Sequence, residues 1–144
     1  MTIRPAIKDD LSILFEFEQE IIKTERPFNA TLKKGAIHFY DINKLIESET
    51  SEVVVAVIGD EIIGSGYAAI KEETDRFVKH THFAYLGFMY VKPAFRGKGV
   101  SNLIIEKLKD WALSRDIHEI RLQVYDENVN AKKAYAKAGF TAHM

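Results

Sequence analysis

The first part of the chain combines one short extended segment with amphipathic helices. Thr2 to Pro5 predicts a first strand, after which Asp9 or Asp10 is suited to cap a helix. Apolar residues then recur at helical spacing, and this set comprises Leu11, Leu14, Phe15, Ile21 and Ile22, with Ile13 and Phe17 widening the face. Pro27 breaks this helix, and a weaker second helix is predicted over the stretch that includes Asp41 to Glu47.

The middle of the chain changes to the patterns of strands. The β-branched run from Val53 to Ile58 ends at a Gly-Asp pair and is followed by Ile62 to Ile70, which predicts a hairpin. Phe83 to Val91 is apolar on both alternating faces, as expected for a central strand covered on both sides. Gly87 within it predicts a bulge or a close approach to the backbone, and a glycine tolerated for packing is the alternative.

The last third alternates helix and strand. A glycine turn leads into a helix whose apolar stripe comprises Val100, Leu103, Ile104, Leu108, Trp111 and Ala112. His118 to Tyr125 predicts a strand, an alanine-rich helix then ends at Gly139, and Phe140 begins one more extended segment. The order β-α-α-β-β-β-α-β-α-β predicts an α/β fold with a mixed, mostly antiparallel central sheet of six to seven strands and helices on both faces. We expect one domain over residues 1–144.

Composition narrows the classes of protein. The 144 residues are 47% hydrophobic and 28% charged, and 20 Lys and Arg against 21 Asp and Glu leave a net charge of -1. A near-neutral chain lacks the global basic field of proteins that coat nucleic acid or anionic membranes. Without cysteine, it can form neither a disulfide nor a protein thiol nucleophile, and no metal-ligand spacing is visible. No apolar run approaches the roughly 20 residues of a membrane span, and no signal core is present, so we expect a cytoplasmic protein.

The strongest chemical feature is the turn that joins the central strand to the next helix. Gly97 and Gly99 allow a tight turn with exposed N–H groups, and the helix N-terminus adds partial positive charge. Three cations accompany these glycines: Lys92, Arg96 and Lys98. The segment therefore predicts a cradle for phosphate oxygens, and an ordinary turn with solvated lysines is the alternative. It is not a P-loop, because no Gly-Lys-Ser or Gly-Lys-Thr occurs, and it lacks the third glycine of a dinucleotide fingerprint.

Two segments resemble the motifs of one enzyme superfamily. Arg96 to Ser101 resembles the acyl-CoA-binding motif Q/R-x-x-G-x-G/A of the GNAT N-acetyltransferases, with Ser101 in place of the last Gly or Ala. Asn128 to Phe140 resembles the signature N-x-x-A-x-x-x-Y-x-K-x-G-F, and the element order is also that of the family. The resemblance covers nearly the whole chain. It implies the GNAT acyl-CoA N-acyltransferase fold, with acetyl-CoA as cosubstrate, no metal, and direct attack of a primary amine on the thioester in a ternary complex.

The resemblance also implies roles for individual residues. Tyr135 matches the tyrosine that acts as general acid toward the departing CoA thiolate, and Asn128 matches a cofactor contact. The backbone of Met89, Tyr90 and Val91 would pair with the pantetheine arm. The phosphates would be held by the turn residues Arg96, Gly97, Lys98, Gly99, Val100, Ser101 and Asn102.

The general base is less well defined. An alkylammonium group with a pKa near 10.4 must lose a proton before it attacks, yet the strand from Phe83 to Val91 contains no carboxylate. Glu25, in the break after the first helix, is the preferred candidate. His80, His82 and Asp126 follow, and a water-relayed base also fits. The missing carboxylate keeps a second hypothesis open, a noncatalytic acyl-CoA-binding or regulatory module of the same fold.

The acceptor and the assembly are not identified by the sequence. The region around Glu25 and Arg26 corresponds to the usual acceptor site of the family, and the acceptor would be a small-molecule amine or an amine of a protein or peptide. Neither nucleic acid nor a membrane is expected as a partner. The family ends with another strand after Gly139 and Phe140, whereas this sequence stops at Met144. We therefore expect either a truncated last strand or one completed by another chain, which leaves a homodimer open.

Overall fold

A computed structural model describes residues 1–25, 41–72 and 82–122, apart from the side chains of residues 24 and 25. Two short 3-10 helices lie at Lys8–Asp10 and Pro93–Phe95. The longer elements are β1 (Thr2–Pro5), α1 (Leu11–Glu25), α2 (Ile42–Glu47), β2 (Ser51–Ile58), β3 (Glu61–Glu72), β4 (His82–Val91), α3 (Val100–Ser114) and β5 (Ile120–Leu122). Their order agrees with the predicted one through β5. The predicted last helix and the extended segment from Phe140 lie outside the described residues.

The strands form one mixed sheet in the order β1-β2-β3-β4-β5. The first four strands pair antiparallel, and β5 pairs parallel to β4, with Ala84 opposite Ile120 and Leu86 opposite Leu122. This confirms the mixed, mostly antiparallel architecture. The predicted count of six to seven strands is too high for the described ranges, which contain five. The difference arises because that count includes segments beyond Leu122.

The sheet is covered on both faces, as predicted. Alternate residues of β2 point to opposite sides, so Val54 and Ala56 pack in one apolar cluster and Val53 and Val55 in the other. We call the two sides the α3 face and the α1 face, after the helices that cover them. The α3 cluster includes Val100, Ile104, Leu108 and Ala112, and the α1 cluster includes Leu14, Phe17, Ile21 and Ile42.

Two apolar residues predicted to lie on the buried faces of helices are exposed instead. Leu103 of α3 is 49% exposed and Phe15 of α1 is 40% exposed. Each lies one position from a residue that is fully buried, Ile104 and Leu14 respectively. Because neighbours along a helix differ by about 100° in direction, the residue on one side of a buried position can point toward solvent while the one on the other side, such as Ile105, stays buried.

Asp10 links β1 to the start of α1 through hydrogen bonds. Its carboxylate accepts hydrogen bonds of 2.8 and 3.1 Å from the two Arg4 Nη atoms and one of 2.9 Å from the Ile7 N–H. The hydrogen bond from Arg4 is the main reason that the pKa of Asp10 is lowered, and the Ile7 N–H acts in the same direction against the opposing effect of burial. The N-cap of the 3-10 helix preceding α1 is Ile7, so neither predicted residue is the N-cap, but Asp10, the third residue of that helix, accepts the Ile7 N–H as in a capping box.

Replacing Asp10 by alanine should lower the free energy of unfolding by about 1–2 kcal/mol at pH 7, because the Ile7 N–H and the Arg4 guanidinium lose their acceptor. The folded-state pKa of Asp10 is depressed. Its contribution is therefore fully present above the unfolded value of about 4 and is lost as the pH falls through the folded value. Urea unfolding at pH 7 and between pH 4 and 2 measures this.

The exposed neighbour in the same turn gives the control, since Asp9→Ala should change the free energy of unfolding by less than about 0.5 kcal/mol. A cost of Asp10→Ala that stays the same at every pH would contradict the ionic origin of the effect.

Candidate functional site

The turn between β4 and α3 has the backbone geometry of an anion cradle. Gly97 and Gly99 have positive φ angles of 76° and 81°, and Gly99 is the N-cap of α3 without a side-chain hydrogen bond to cap it. The first bond of the helix runs from the Leu103 N–H to the Gly99 carbonyl at 3.2 Å. The three N–H groups of residues 100–102 precede it and have no acceptor within the helix. A Cβ built on either glycine would meet nothing within 4 Å, so the turn has room for a ligand.

The three predicted cations of this turn have different surroundings. Lys92 is not directed at the turn, because its Nζ lies 3.0 Å from a carboxylate oxygen of Glu61 in the β2–β3 hairpin. Arg96 donates from Nε to the Val91 carbonyl at 2.8 Å, which ties the turn to the end of β4. Lys98 is exposed, with its ammonium 5.9 Å from the centre of the Phe95 ring. The cationic side chains of the turn are thus Arg96 and Lys98.

The predicted irregularity of β4 is a bulge immediately after Gly87. Ser65 stands opposite Tyr90 and Tyr67 opposite Gly87, so Phe88 and Met89 share the position opposite a single β3 residue. Phe88 has a φ angle of 55°, in the left-handed region that side chains other than glycine rarely adopt. The extra residue reverses the alternation of the strand.

The reversal decides which side chains reach each face. Leu86 packs on the α3 face, and after the bulge so do Met89 and Val91. Phe88 and Tyr90 pack on the α1 face, where the Tyr90 ring lies 4.6 Å from the ring of Phe17. The residues predicted to meet a pantetheine arm therefore follow the bulge directly and run into the glycine turn.

Close packing accounts for the glycine at position 87. A Cβ on Gly87 would overlap with Cε1 of the Tyr67 ring, closer than real Cβ atoms come to any neighbour. Both features predicted from this glycine, the bulge and the close approach, therefore occur. The buried Tyr67 lies on the α1 face, at the wall of a cavity of about 320 Å³ between α2 and β3. Burial, with a smaller contribution from Tyr85, raises the pKa of Tyr67 to about 12, so the phenol stays protonated at neutral pH.

Ser65 is a residue that sequence reasoning misses. Its side chain is fully buried in β3 and donates from Oγ to the Phe88 carbonyl at 3.1 Å. The signal that could have found it is the sequence Gly-Ser-Gly at residues 64–66, inside an apolar strand that precedes the strand of Gly87. That pattern indicates a stretch of β3 without side-chain bulk, whereas the residues that it faces in β4 are known only from the structure.

The residues assigned to proton transfer are only partly covered by the structure. Glu25 is the last residue of α1 and so belongs to the helix, not to a break after it, because the helical backbone extends further than the prediction. His82 is the exposed first residue of β4. Four other residues lie outside the described ranges and keep their roles as predictions: His80, Asp126, Asn128 and Tyr135.

Two properties of the described residues bear on metals and membranes. No group of three or more His, Cys, Asp or Glu side chains is placed to hold a metal ion within the described ranges. Among the helices of the same ranges, none is long and apolar enough to cross a membrane.

Comparison with known proteins identifies the family. The family model described as "Acetyltransferase (GNAT) family" matches residues 15–140, and the chain therefore belongs to the GNAT acetyltransferases.

The solved structures that resemble it include aminoglycoside 6'-N-acetyltransferase AAC(6')-Ig from Acinetobacter haemolyticus, with a TM-score of 0.80 and 21% identity, covering 100% of this chain and 93% of that one. A predicted acetyltransferase from Clostridium acetobutylicum, solved with acetyl-CoA, has a TM-score of 0.75 and 22% identity, covering 99% and 90%.

Curated relatives match over different lengths. An uncharacterized N-acetyltransferase of Archaeoglobus fulgidus is 26% identical over 136 residues, covering 94% of this chain and 90% of the relative. Streptothricin acetyltransferase of Escherichia coli is 47% identical over 58 residues, which is 40% of this chain and only 33% of the relative. The stronger identity therefore applies to about a third of the streptothricin enzyme.

Proposed function

We propose that this chain is an acetyl-CoA-dependent N-acetyltransferase that acetylates a primary amine by direct attack in a ternary complex. The observation that carries the proposal is the glycine turn at the start of α3, which the 3-10 helix Pro93–Phe95 connects to the bulged strand β4. Gly97 and Gly99 have positive φ angles, the first N–H groups of α3 have no acceptor within the helix, and the helix dipole favours an anion there. A pyrophosphate is the ligand that such a site suits in this family.

Different groups of residues would bind different parts of the cofactor. Residues 97–102 would bind the pyrophosphate through backbone N–H groups, assisted by Arg96 and Lys98. The backbone of Met89, Tyr90 and Val91 would orient the pantetheine arm, and Asn128 would add a contact from the last helix. The solved relative with acetyl-CoA supports this choice of ligand because its fold is similar. When bound, acetyl-CoA supplies a thioester whose carbonyl carbon is open to an amine.

Three proton movements remain for side chains of the protein. Glu25 would take one proton from the acceptor ammonium, and Tyr135 would give one to the thiolate sulfur. The second proton that the nitrogen loses on becoming an amide would return to Tyr135. A transfer from a phenol with a pKa of about 10 to a thiolate with a pKa of about 8.5 is uphill by roughly 2 kcal/mol. That cost is small beside a chemical barrier, so a tyrosine positioned at the sulfur can serve as acid.

The acceptor class is proposed from the relatives. Streptothricin and aminoglycosides appear in the names of proteins similar to this chain, and both names point to small-molecule amines. The predicted acceptor region around Glu25 lies at the end of α1, which is the helix that packs on the α1 face. We therefore infer that the acceptor approaches from the α1 face, and protein or peptide amines remain in the panel of candidates.

The second candidate function is a noncatalytic acyl-CoA-binding module, favoured by the lack of any carboxylate in His82–Val91. A panel of primary amines incubated with acetyl-CoA separates the two functions. Release of CoA with any acceptor eliminates the module, whereas tight acetyl-CoA binding without product from any amine eliminates the enzyme.

The cofactor site can be tested by exchanging one glycine of the turn. Gly99→Leu should reduce the affinity for CoA and acetyl-CoA at least about ten-fold, because a side chain at the N-cap blocks the N–H groups and strains the positive φ. Isothermal titration calorimetry measures both ligands.

Gly59→Leu is the matched control. Gly59 also has a positive φ, 59°, with nothing within 4 Å of its would-be Cβ, but it lies in the β2–β3 turn. Both variants should lose about 1–2 kcal/mol of stability from the strained backbone, and only Gly99→Leu should lose affinity. Equal CoA affinity in the two variants, or no CoA affinity in the unaltered protein, would sink the proposed site.

Tyr135→Phe tests the general acid. We expect turnover to fall by about 10²–10⁴-fold while the affinity for acetyl-CoA changes less than about two-fold, because only the proton donor is removed. Steady-state kinetics and calorimetry on the same preparation separate the two effects. An unchanged turnover would reject the acid role.

Glu25→Gln tests the general base. The variant should lose about 10²-fold or more in kcat/KM, and the acidic limb of the pH profile should disappear, because the amide cannot accept the ammonium proton. Glu20→Gln is the control on the same helix, since Glu20 is exposed and pairs with Lys23 at 3.2 Å. If the two variants have the same profile as the parent enzyme, the base is another group or a water molecule.

A further inference from the structure

The buried serine of β3 holds a strained point of β4. Ser65 is fully buried, and its hydroxyl donates across the sheet to the Phe88 carbonyl at 3.1 Å. Phe88 combines a φ angle of 55° with a side chain that is 1% exposed. A bulky residue keeps this conformation only where its surroundings hold it, and a buried carbonyl of the backbone requires a donor. The Ser65 hydroxyl provides that donor at the bulge.

The residues on both sides of Ser65 leave space for the bulge. A Cβ on Gly64 would lie 2.9 Å from the Tyr90 carbonyl oxygen, and one on Gly66 would lie 2.8 Å from Met89 Sδ. Residues 64–66 are therefore shaped to the bulged strand, with no side chain at either end and a hydrogen-bond donor in the middle. Gly66 also makes room for α3, because the same Cβ would lie 2.7 Å from Ile104 Cγ2, whereas the nearest atom to a Cβ on Gly64 is the Tyr90 carbonyl oxygen of the bulged strand.

The bulge determines where the backbone of the following residues points. Beyond Phe88 the register is shifted by one residue, which places Met89 and Val91 on the α3 face and Tyr90 on the α1 face. The next residues enter the glycine turn. A change at Phe88 would therefore move the backbone of Met89 to Val91. The turn has supports of its own, because the Lys92 N–H donates to the Ile63 carbonyl at 2.8 Å and α3 packs on the sheet through Val100 and Ile104.

We infer that Ser65 is a positioning residue, which holds the β4 bulge so that the backbone of Met89–Val91 is aligned with the acyl-pantetheine part of the cofactor. It acts through Phe88 and does not itself touch a substrate. This inference rests on the proposed function. It requires that losing the Ser65 hydroxyl weakens contacts to the pantetheine arm and leaves contacts to the pyrophosphate unchanged.

The test compares two ligands on Ser65→Ala. Acetyl-CoA probes the arm and the turn together, and ADP carries a pyrophosphate without the arm. We expect the Kd for acetyl-CoA to rise about ten-fold and the Kd for ADP to stay within about two-fold, and turnover with any accepted amine should fall as well, since small misplacements are costly in catalysis. Ser65→Thr, which keeps the hydroxyl, should recover most of the acetyl-CoA affinity. If Ser65→Ala does not fold, Ser65→Cys replaces it with the same expectation, because a thiol is a weaker donor.

Ser51→Ala is the matched control for buried hydrogen bonding. Ser51 is 7% exposed and donates from Oγ to the Leu45 carbonyl at 2.8 Å, in β2 and away from the bulge. Both alanine variants should lower the midpoint of urea unfolding, and only Ser65→Ala should change the ratio of acetyl-CoA to ADP affinity. The same ratio in both variants would overturn the inference while leaving the proposed function intact. Failure of the unaltered protein to bind acetyl-CoA would overturn both.

Discussion

The bulge at Phe88 is the constraint on which the arrangement of the candidate site depends. A regular β4 would send Phe88 to the α3 face and Met89 to the α1 face, with every later side chain of the strand inverted. With the extra residue, Val91 packs against the α3 cluster at the point where the chain leaves the sheet. The turn and α3 then begin from a fixed position. The Ser65 hydroxyl and two small neighbours are the parts of β3 that make this irregularity fit.

The proposed anion site at the turn would depend more on the backbone than on side-chain charge. Lys92 is engaged by Glu61, and the Arg96 Nε is engaged by the Val91 carbonyl. Exposed cations that remain are screened by solvent and salt. Peptide N–H groups at the start of α3 are fixed in direction by the helix, so they lose no side-chain entropy when an anion binds. A chain with a net charge of -1 can therefore still bind a highly charged ligand at one place.

The elements that sequence periodicity predicts well are those whose pattern lies within one segment. The predicted bounds of β1 agree residue for residue with the structure, and α2 and α3 occur where they are expected. The bulge is predictable from Gly87 because glycine weakens a buried strand unless the backbone there bends or is closely approached.

The role of Ser65 is not predictable, since it depends on cross-strand register, which no single segment encodes. The exposure of Leu103 is not predictable for a related reason. A leucine beside the buried stripe of a helix cannot be distinguished by residue type from a leucine within the stripe. The roles of Tyr135 and Asn128 come from motif resemblance alone.

The chemistry of the α1 face restricts where the base for amine activation can come from. The Tyr67 ring lies against the Gly87 backbone, and a pKa of about 12 makes its phenol a hydrogen-bond donor at neutral pH, not a proton acceptor. The β4 strand offers no carboxylate, and cysteine is absent from the whole sequence. An acyl group cannot therefore pass through a protein thiol, and the proposed direct attack by an amine would need a base that lies outside β4. Helix α1 packs against β4 through Phe17 and Tyr90, so a helix that carries carboxylates covers this face.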